Sequence, residues 1–251
     1  MTICYYIPIK DELEYIKKSI PNILENMKDT DEILVSVDSV KTPQVIHDYL
    51  NKLNINKVVF EWVDDFSELK NLAFSHTSKD WIFLLDADEN ISPTFINDLN
   101  NFLEELQEQH WEGVLVPRIN TYTDLEDYPT YIEDNYLQHS VNKEGWFFWP
   151  EYQLRIYRNL DHIRYLGKIH ESLEGLTKVM TLEPSKTYAI IHEKTIAKQL
   201  KSDKYYENFD EHRRLHSENI RQRKTIVDAH KKIIAEVNEV NSKYSDEMED
   251  I

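Results

Sequence analysis

The stretch Trp81-Ile82-Phe83-Leu84-Leu85-Asp86-Ala87-Asp88-Glu89 joins an apolar run to three carboxylates. The run Trp81–Leu85 predicts a strand buried on both faces of a sheet. Asp86 and Asp88 lie two residues apart, so in extended backbone their carboxylates point the same way. Because Mg²⁺ typically binds one or two carboxylates plus substrate phosphates, the stretch predicts a divalent-metal site. The alternative is an Asp-rich turn that ends the strand and holds no metal.

Strands and helices alternate on both sides of this stretch, which predicts an α/β fold with a mostly parallel sheet flanked by helices. The preceding predicted strands are Thr2–Ile9, Ile33–Val37 and Val58–Val63. Helical spacing of apolar residues predicts helices over Leu13–Leu24, Pro43–Leu53, Phe66–Phe74 and Pro93–Leu106. Ligands bind at the carboxyl ends of parallel strands, and Asp38 and Asp86 both follow such ends.

The second half of the chain is less regular. Further strands are predicted over Gly113–Pro117, Gln153–Tyr157 and Thr187–His192, and the polar, aromatic segment Thr121–Phe148 is expected to be an acceptor-binding insertion. From about Ala197 the chain is charged, and helical spacing of its apolar residues predicts amphipathic helices with a frayed acidic end at Ser245–Ile251. The residues that carry this spacing are Ile220, Val227, Ile234, Val237 and Val240. We therefore expect one domain over 1–195 and a helical extension over 196–251.

Composition excludes several function classes. The net charge of −17 argues against nucleic acid as a partner, since the phosphate field would repel the chain. Only 4 glycines are present in 251 residues, and their spacing excludes both glycine-rich phosphate-binding loops. The lone Cys4 excludes an intramolecular disulfide and any cysteine-based zinc cluster.

The cellular location is predicted from what the sequence lacks. No segment approaches the roughly 18 apolar residues of a membrane helix, and no basic region followed by an apolar stretch marks a signal peptide at the N-terminus. We expect a cytoplasmic protein without a transmembrane segment, with peripheral membrane contact left open.

Two segments in order, Phe66-Ser-Glu-Leu-Lys-Asn-Leu-Ala73 and Asp80-Trp-Ile-Phe-Leu-Leu-Asp-Ala-Asp-Glu89, resemble the family 2 glycosyltransferases. Within that family they are most similar to the branch of lipopolysaccharide-core sugar transferases with an Asp-Ala-Asp-Glu motif. Further matching segments are Asp31–Ser39, Tyr152–Arg158 and Gly167–Glu171. The resemblance covers about residues 2 to 195. It implies a GT-A fold, Mn²⁺ or Mg²⁺, and inverting transfer from a nucleoside diphosphate sugar, with UDP-sugar expected, to a hydroxyl of a glycan or other acceptor.

The resemblance also implies roles for individual residues. Asp88 would hold the metal that bridges the diphosphate, and Asp86 would contact the ribose or the metal's water shell. His170 would be a further metal ligand or a diphosphate contact, with a structural histidine as the alternative. The residues expected to contact or lie beside the donor are Pro8, Asp38, Lys70, Asn71, Asp86, Arg155 and Arg158.

An inverting transfer needs a base that takes the acceptor's proton. The resemblance makes Glu151 the leading candidate, because it precedes the Gln-Leu-Arg strand near where the family keeps its acidic base. Glu171 is the competitor, because Ile169-His170-Glu171 matches the family motif, and a surface or capping role is the alternative for Glu151. Arg155 and Arg158 are three residues apart, so in a strand only one of them faces the donor. The aromatic run Trp146–Trp149 is suited to stacking on a sugar, although core packing is its commoner use.

Two departures from the family keep other function classes in view. Asp11-Glu12 replaces the usual Asn-Glu, and Val40-Lys41-Thr42-Pro43 replaces the usual Gly-Ser-Thr-Asp. The alternatives are a noncatalytic sugar- or nucleotide-binding module and a haloacid-dehalogenase-like phosphatase. For the helical tail, the apolar stripe is compatible with packing on its own domain, with a homodimer, or with docking of a partner.

Overall fold

The computed structural model describes residues 1–209, 215 and 217–234. Within them the chain divides into two units. The first comprises Met1–Thr121 and Phe148–Lys194, and the second comprises Tyr122–Phe147 with the described residues from Thr195 onward. Val237, Val240 and Ser245–Ile251, which carry part of the predicted tail, lie outside the described residues. The predicted boundary between residues 195 and 196 stays a prediction.

Eleven strands are present in the described residues. They are β1 Ile3–Ile9, β2 Glu32–Asp38, β3 Asn56–Phe60, β4 Trp81–Leu84, β5 Glu89–Ile91, β6 Gly113–Tyr122, β7 Phe147–Arg158, β8 Arg164–Leu166, β9 Ser172–Glu174, β10 Val179–Thr181 and β11 Ile190–Lys194. Nine of them form one sheet in the order β3-β2-β1-β4-β7-β6-β11-β5, with β10 beside β6. β8 and β9 form a separate antiparallel pair.

The sheet is mixed, with a parallel half and an antiparallel contribution. β1 pairs in parallel with β2 and β4, and β2 pairs in parallel with β3. β7 pairs antiparallel to β4, and β11 pairs antiparallel to β5. The predicted α/β fold with a mostly parallel sheet is therefore confirmed. Apolar patterning does not predict the strands β5, β8, β9 and β10. Each has three residues, which is too short to show a period.

Four helices flank the sheet where the sequence predicted them: α1 Leu13–Asn26, α2 Gln44–Lys52, α3 Phe66–His76 and α4 Pro93–Glu108. The second unit contains the single turn α5 Tyr131–Asp134, which was not predicted, and α6 Ile196–Tyr206, and residues 217–234 are also helical. Asp65 and Ser92 cap α3 and α4 by accepting from backbone N–H groups of the first turn at 3.1 and 3.0 Å. α2 begins after Pro43 rather than at it, since the Thr42 hydroxyl accepts from the Asp38 N–H at 2.9 Å instead of capping the helix.

Two apolar clusters cover the two faces of the parallel half of the sheet. One contains Ile16 and Ile20 of α1 with Leu99 of α4, and the other contains Ala73 and Phe74 of α3. Each fully buried isoleucine or leucine side chain stabilises the fold by about 1.5–3 kcal/mol relative to exposure. This packing fixes the strand ends that carry the polar residues described below.

The second unit consists of residues 122–147 and the C-terminal helices. The Asp124 carboxylate accepts from the first N–H groups of α6, Ile196 and Ala197, at 2.6 and 3.2 Å. Val227 is buried on helix 217–234, whereas Ile234 of the predicted stripe is 56% exposed. Throughout the described residues, no helix combines the length and hydropathy needed to cross a bilayer.

Candidate active site

The turn between β4 and β5 carries the acidic motif and closes on itself. Glu89 N–H donates to the Asp86 carbonyl at 2.9 Å, and the Glu89 carboxylate accepts from the Asp86 N–H at 2.9 Å. The Glu89 side chain is 0% exposed, whereas that of Asp86 is 41% exposed. The turn therefore presents Asp86 to solvent and directs Glu89 inward.

Three neighbouring strands deliver polar side chains beneath this turn. Arg118 and Asn120 are two residues apart on β6, and Glu151 and Arg155 are four apart on β7, so each pair shares a face of its strand. β11 pairs with β5 in a register that sets His192 opposite Glu89. The site thus lies where the antiparallel strands meet the end of β4.

Five of these side chains form a charge chain of alternating sign, Asp86–Arg155–Glu89–Arg118–Glu151. Arg155 Nη2 lies 2.6 Å from Asp86 Oδ2 and 2.8 Å from Glu89 Oε1. Arg118 reaches the same Glu89 oxygen at 2.9 Å through Nη1 and Glu151 Oε2 at 2.8 Å through Nη2. The Arg155 side chain is 5% exposed, so charge pairing compensates the cost of its burial.

The charge chain keeps Asp86 and Arg155 ionised. Burial alone would raise the pKa of Asp86, but the Arg155 guanidinium outweighs burial and lowers that pKa well below its ordinary range. Burial alone would lower the pKa of Arg155, but Asp86 and Glu89 raise it above its ordinary value. At neutral pH both partners are therefore charged.

Glu151 is held asymmetrically. Its Oε2 accepts from Arg118 Nε at 3.0 Å, Arg118 Nη2 at 2.8 Å and Asn120 Nδ2 at 2.6 Å. Within the described part of the chain, none of the hydrogen bonds to this carboxylate ends on Oε1, and the side chain is 32% exposed. Burial raises the pKa of Glu151, but Arg118 and Asn120 outweigh burial and lower it.

Asn120 links Glu151 to His192. An ionised carboxylate can only accept, so Asn120 directs its amide nitrogen to Glu151 and its oxygen to His192 Nδ1, 3.1 Å away. His192 Nδ1 therefore carries the proton, and Nε2 lies 3.5 Å from Asp88 Oδ2.

Lys194 follows two residues later on β11. Burial and the nearby Arg118 lower the pKa of Lys194.

Lys70 and Glu171 form an ion pair, and the Lys70 ammonium lies 5.2 Å from the centre of the Tyr165 ring. Asn71 instead exchanges two hydrogen bonds of 2.9 Å with the backbone of Tyr165. Lys70 and Glu171 are thus held together, whereas the Asn71 amide fastens α3 to β8.

Asp38 and Pro8, two further candidates for contact with the donor, are described by their burial and their neighbours. Asp38 is 4% exposed, and its Oδ1 accepts from Val40 and Lys41 N–H groups at 2.7 Å each. Burial raises the pKa of Asp38, but these backbone donors outweigh burial and lower it. Pro8 is half-buried on β1, opposite Ser36 of β2.

Two further candidates are Arg158 and His170. The Arg158 guanidinium lies 5.6 Å from the centre of the Trp81 ring, consistent with its opposite strand parity to Arg155. His170 is exposed and has a left-handed backbone with φ of 54°. Their proposed contacts with donor or metal stay predictions.

The donor set fits a hard divalent cation as a partial site. Among the described residues, no group of three His, Cys, Asp or Glu is gathered for a metal. One or two carboxylates suffice for Mg²⁺ when substrate phosphates and waters supply the other ligands. Asp88 is 15% exposed and Asp86 is more open, so this turn could supply such carboxylates.

Sequence patterning did not identify Arg118, Asn120 or Lys194, and it found no argument for His192. The available signal was Arg118-Ile-Asn120, two polar residues at spacing two in an otherwise apolar segment, whereas His192-Glu-Lys194 is polar throughout and shows no alternation. Such alternation indicates one polar face of a strand, but it does not reveal which strands are neighbours.

Two comparisons with individual proteins bear on this architecture. A TPR repeat-containing protein of Synechococcus elongatus is 30% identical over 100 residues, covering 39% of this chain, and the match spans 23% of the length of that relative. The crystal structure of S. aureus TarS 1-349 in complex with UDP-GlcNAc superposes with a TM-score of 0.53 at 15% identity. That likeness covers 87% of this chain and 66% of the TarS chain, and it shows a shared fold.

The family itself is shown by a profile comparison. The profile described as Glycosyl transferase family 2 matches residues 4–163, more than half of the 251 residues. The matched range contains β2 to β7 and therefore the whole charge chain. The chain belongs to glycosyl transferase family 2.

Proposed function

We propose that this protein transfers a sugar from a nucleoside diphosphate donor to an acceptor hydroxyl, with inversion. Membership of the family and the fold shared with a TarS structure that holds UDP-GlcNAc support a nucleotide-sugar donor. The family match favours a transferase over the phosphatase alternative. A UDP-sugar is the donor we test first.

The observation that carries the proposal is the set of hydrogen bonds to one oxygen of the Glu151 carboxylate. Three donors fix Oε2, and none of the described residues donates to Oε1, so we infer that Oε1 receives the proton of an acceptor hydroxyl. The lowered pKa keeps the carboxylate ionised at neutral pH. An acceptor that displaces water from Oε1 would raise this pKa, because desolvation disfavours the charged form. Base strength would then increase when the substrate is in place.

Stabilisation of the departing diphosphate is the second requirement. We propose that Asp88, with Asp86 beside it, holds Mn²⁺ or Mg²⁺, which when bound supplies positive charge to the leaving group. Lys70 lies among the residues around Asp86 and contributes to its lowered pKa. We infer that its ammonium orients the donor phosphates by charge.

A panel of UDP, GDP, CDP and ADP, each with and without Mn²⁺, tests the donor class by thermal shift. Binding to the folded state stabilises it by about 2.7 kcal/mol at a hundredfold excess over the Kd. We expect a metal-dependent rise in Tm for UDP. The same preparation is then incubated with UDP-sugars, and released UDP is measured with and without candidate acceptors.

The two assays separate the proposed enzyme from a noncatalytic module. Metal-dependent nucleotide binding with release of UDP supports the transferase. Nucleotide binding with no UDP release from any donor across the acceptor panel would favour the noncatalytic module. The absence of a shift for every nucleotide with metal would contradict the proposed donor class.

A further inference from the structure

One guanidinium serves two carboxylates at the centre of the charge chain. Arg118 donates through Nη1 to Glu89 at 2.9 Å and through Nε and Nη2 to Glu151 at 3.0 and 2.8 Å. Glu89 is 0% exposed, whereas Glu151 is 32% exposed. The same cation therefore neutralises an inner carboxylate and orients an outer one.

The inner carboxylate fixes the position of Arg118. Glu89 Oε1 accepts from Arg118 and from Arg155 at 2.9 and 2.8 Å, and its Oε2 accepts from the Asp86 N–H at 2.9 Å. A buried carboxylate is costly to leave unpaired, so this arrangement resists movement of either arginine. The planar guanidinium then directs its remaining edge to Glu151 with little rotational freedom.

We propose that Arg118 is a positioning residue for Glu151, and that Glu89 limits how strongly the Arg118 charge acts on that carboxylate. The proposal rests on Glu151 as the base of the proposed transfer. It assigns Glu89 a function apart from the metal: the carboxylate offsets a cation that would otherwise make Glu151 a weaker base.

The two residues should act on Glu151 with opposite sign. Removing the Arg118 charge takes away donors that stabilise the ionised form, so the pKa of Glu151 rises. Removing the Glu89 charge leaves the cations less compensated, so the pKa of Glu151 falls. A residue that only maintained the fold would not produce opposite shifts from two neighbouring substitutions.

Neither substitution alters the other groups that face Glu151. Asn120 on β6 donates to Oε2, and Lys194 on β11 lies close enough to lower the pKa of Glu151. Asp88 acts on Lys194 in turn. Because these groups are common to wild type and variants, the difference between Arg118→Gln and Glu89→Gln isolates the shared guanidinium.

The test is a carbon NMR titration of the metal-free 251-residue chain labelled in the glutamate carboxyl carbons. The Glu151 resonance is identified as the signal absent in Glu151→Gln. We expect its pKa to rise in Arg118→Gln and to fall in Glu89→Gln. Glu112→Gln is the matched control, since Glu112 precedes β6 and accepts from the backbone N–H and hydroxyl of Thr177 rather than from the charge chain, and it should leave the resonance unmoved.

Arg118→Lys is a second variant in case Arg118→Gln misfolds. Lysine keeps the positive charge but lacks the forked N–H donors of the guanidinium. It should shift the pKa of Glu151 less than Arg118→Gln, while lowering kcat at unchanged donor KM. Shifts of the same sign in Arg118→Gln and Glu89→Gln, or a full-size shift in Arg118→Lys, overturn the proposal. Because the titration needs no turnover, opposite shifts in a protein that transfers no sugar would uphold the coupling and refute the proposed function.

Discussion

Arg155 contacts Asp86 through the same nitrogen, Nη2, that contacts Glu89, at 2.6 and 2.8 Å. This single atom ties strand β7 to both ends of the acidic turn. Asp86 is more than one-third exposed, whereas Glu89 is fully buried, so Arg155 joins a solvent-facing carboxylate to an inner one. The orientation of the turn therefore depends on a residue almost seventy positions later in the chain.

Arg155→Met should destabilise the protein by about 3–5 kcal/mol, since it leaves buried Glu89 short of a partner. Urea unfolding followed by circular dichroism measures the loss. Arg158→Met is the matched control on the same strand, and we expect it to cost about 1 kcal/mol through loss of the contact with Trp81. Equal losses in the two variants would show that the charge chain contributes no special stability.

The local parts of this site could be predicted from the sequence. A buried run followed by acidic residues predicted β4 and its turn, and the three-residue spacing of Arg155 and Arg158 predicted that they lie on opposite faces. Both inferences need only the period of a strand. The family resemblance, now confirmed as membership of family 2, supplied the order of the segments.

The contacts between side chains on different strands could not be predicted. Arg118 meets Glu89 only because β6 and β11 are inserted between β7 and β5 in the sheet, and no local pattern encodes that order. The sequence predicts a strand over Gly113–Pro117 only. In the structure β6 continues to Tyr122, and its extra length is what carries Arg118 and Asn120.

Asp88→Asn should abolish the dependence of UDP binding on Mn²⁺ while preserving the fold, because the amide keeps the shape and removes the charge that binds the cation. Isothermal titration of UDP with and without Mn²⁺ measures the effect. Asp98→Asn is the control, since Asp98 accepts from Tyr188 at an exposed site. An unchanged metal requirement in Asp88→Asn would remove Asp88 from the proposed metal site.

Glu151→Gln should lower kcat by about 10²- to 10⁴-fold, which is the usual contribution of a general base. Donor affinity should be retained, because the amide oxygen can still accept from Arg118. Glu171→Gln breaks the ion pair with Lys70 and should raise the donor KM more than it lowers kcat. Steady-state kinetics on both variants decides the assignment: loss of kcat confined to Glu171→Gln would exchange the two roles.

Acid should weaken the turn after β2 through Asp38. The folded-state pKa of this carboxyl is lowered from its ordinary value of 3.8, because the backbone donors of Val40 and Lys41 outweigh burial. Its contribution to stability is therefore fully present above the unfolded-state pKa and is lost as pH falls through the folded-state pKa. In Asp38→Asn, the free energy of unfolding should be lower at neutral pH and should fall less steeply below about pH 4. Urea unfolding at a series of pH values from 7 downward gives the free energy of unfolding of wild type and variant. An equal dependence on pH in the two proteins would contradict the stabilisation of ionised Asp38 by its backbone donors.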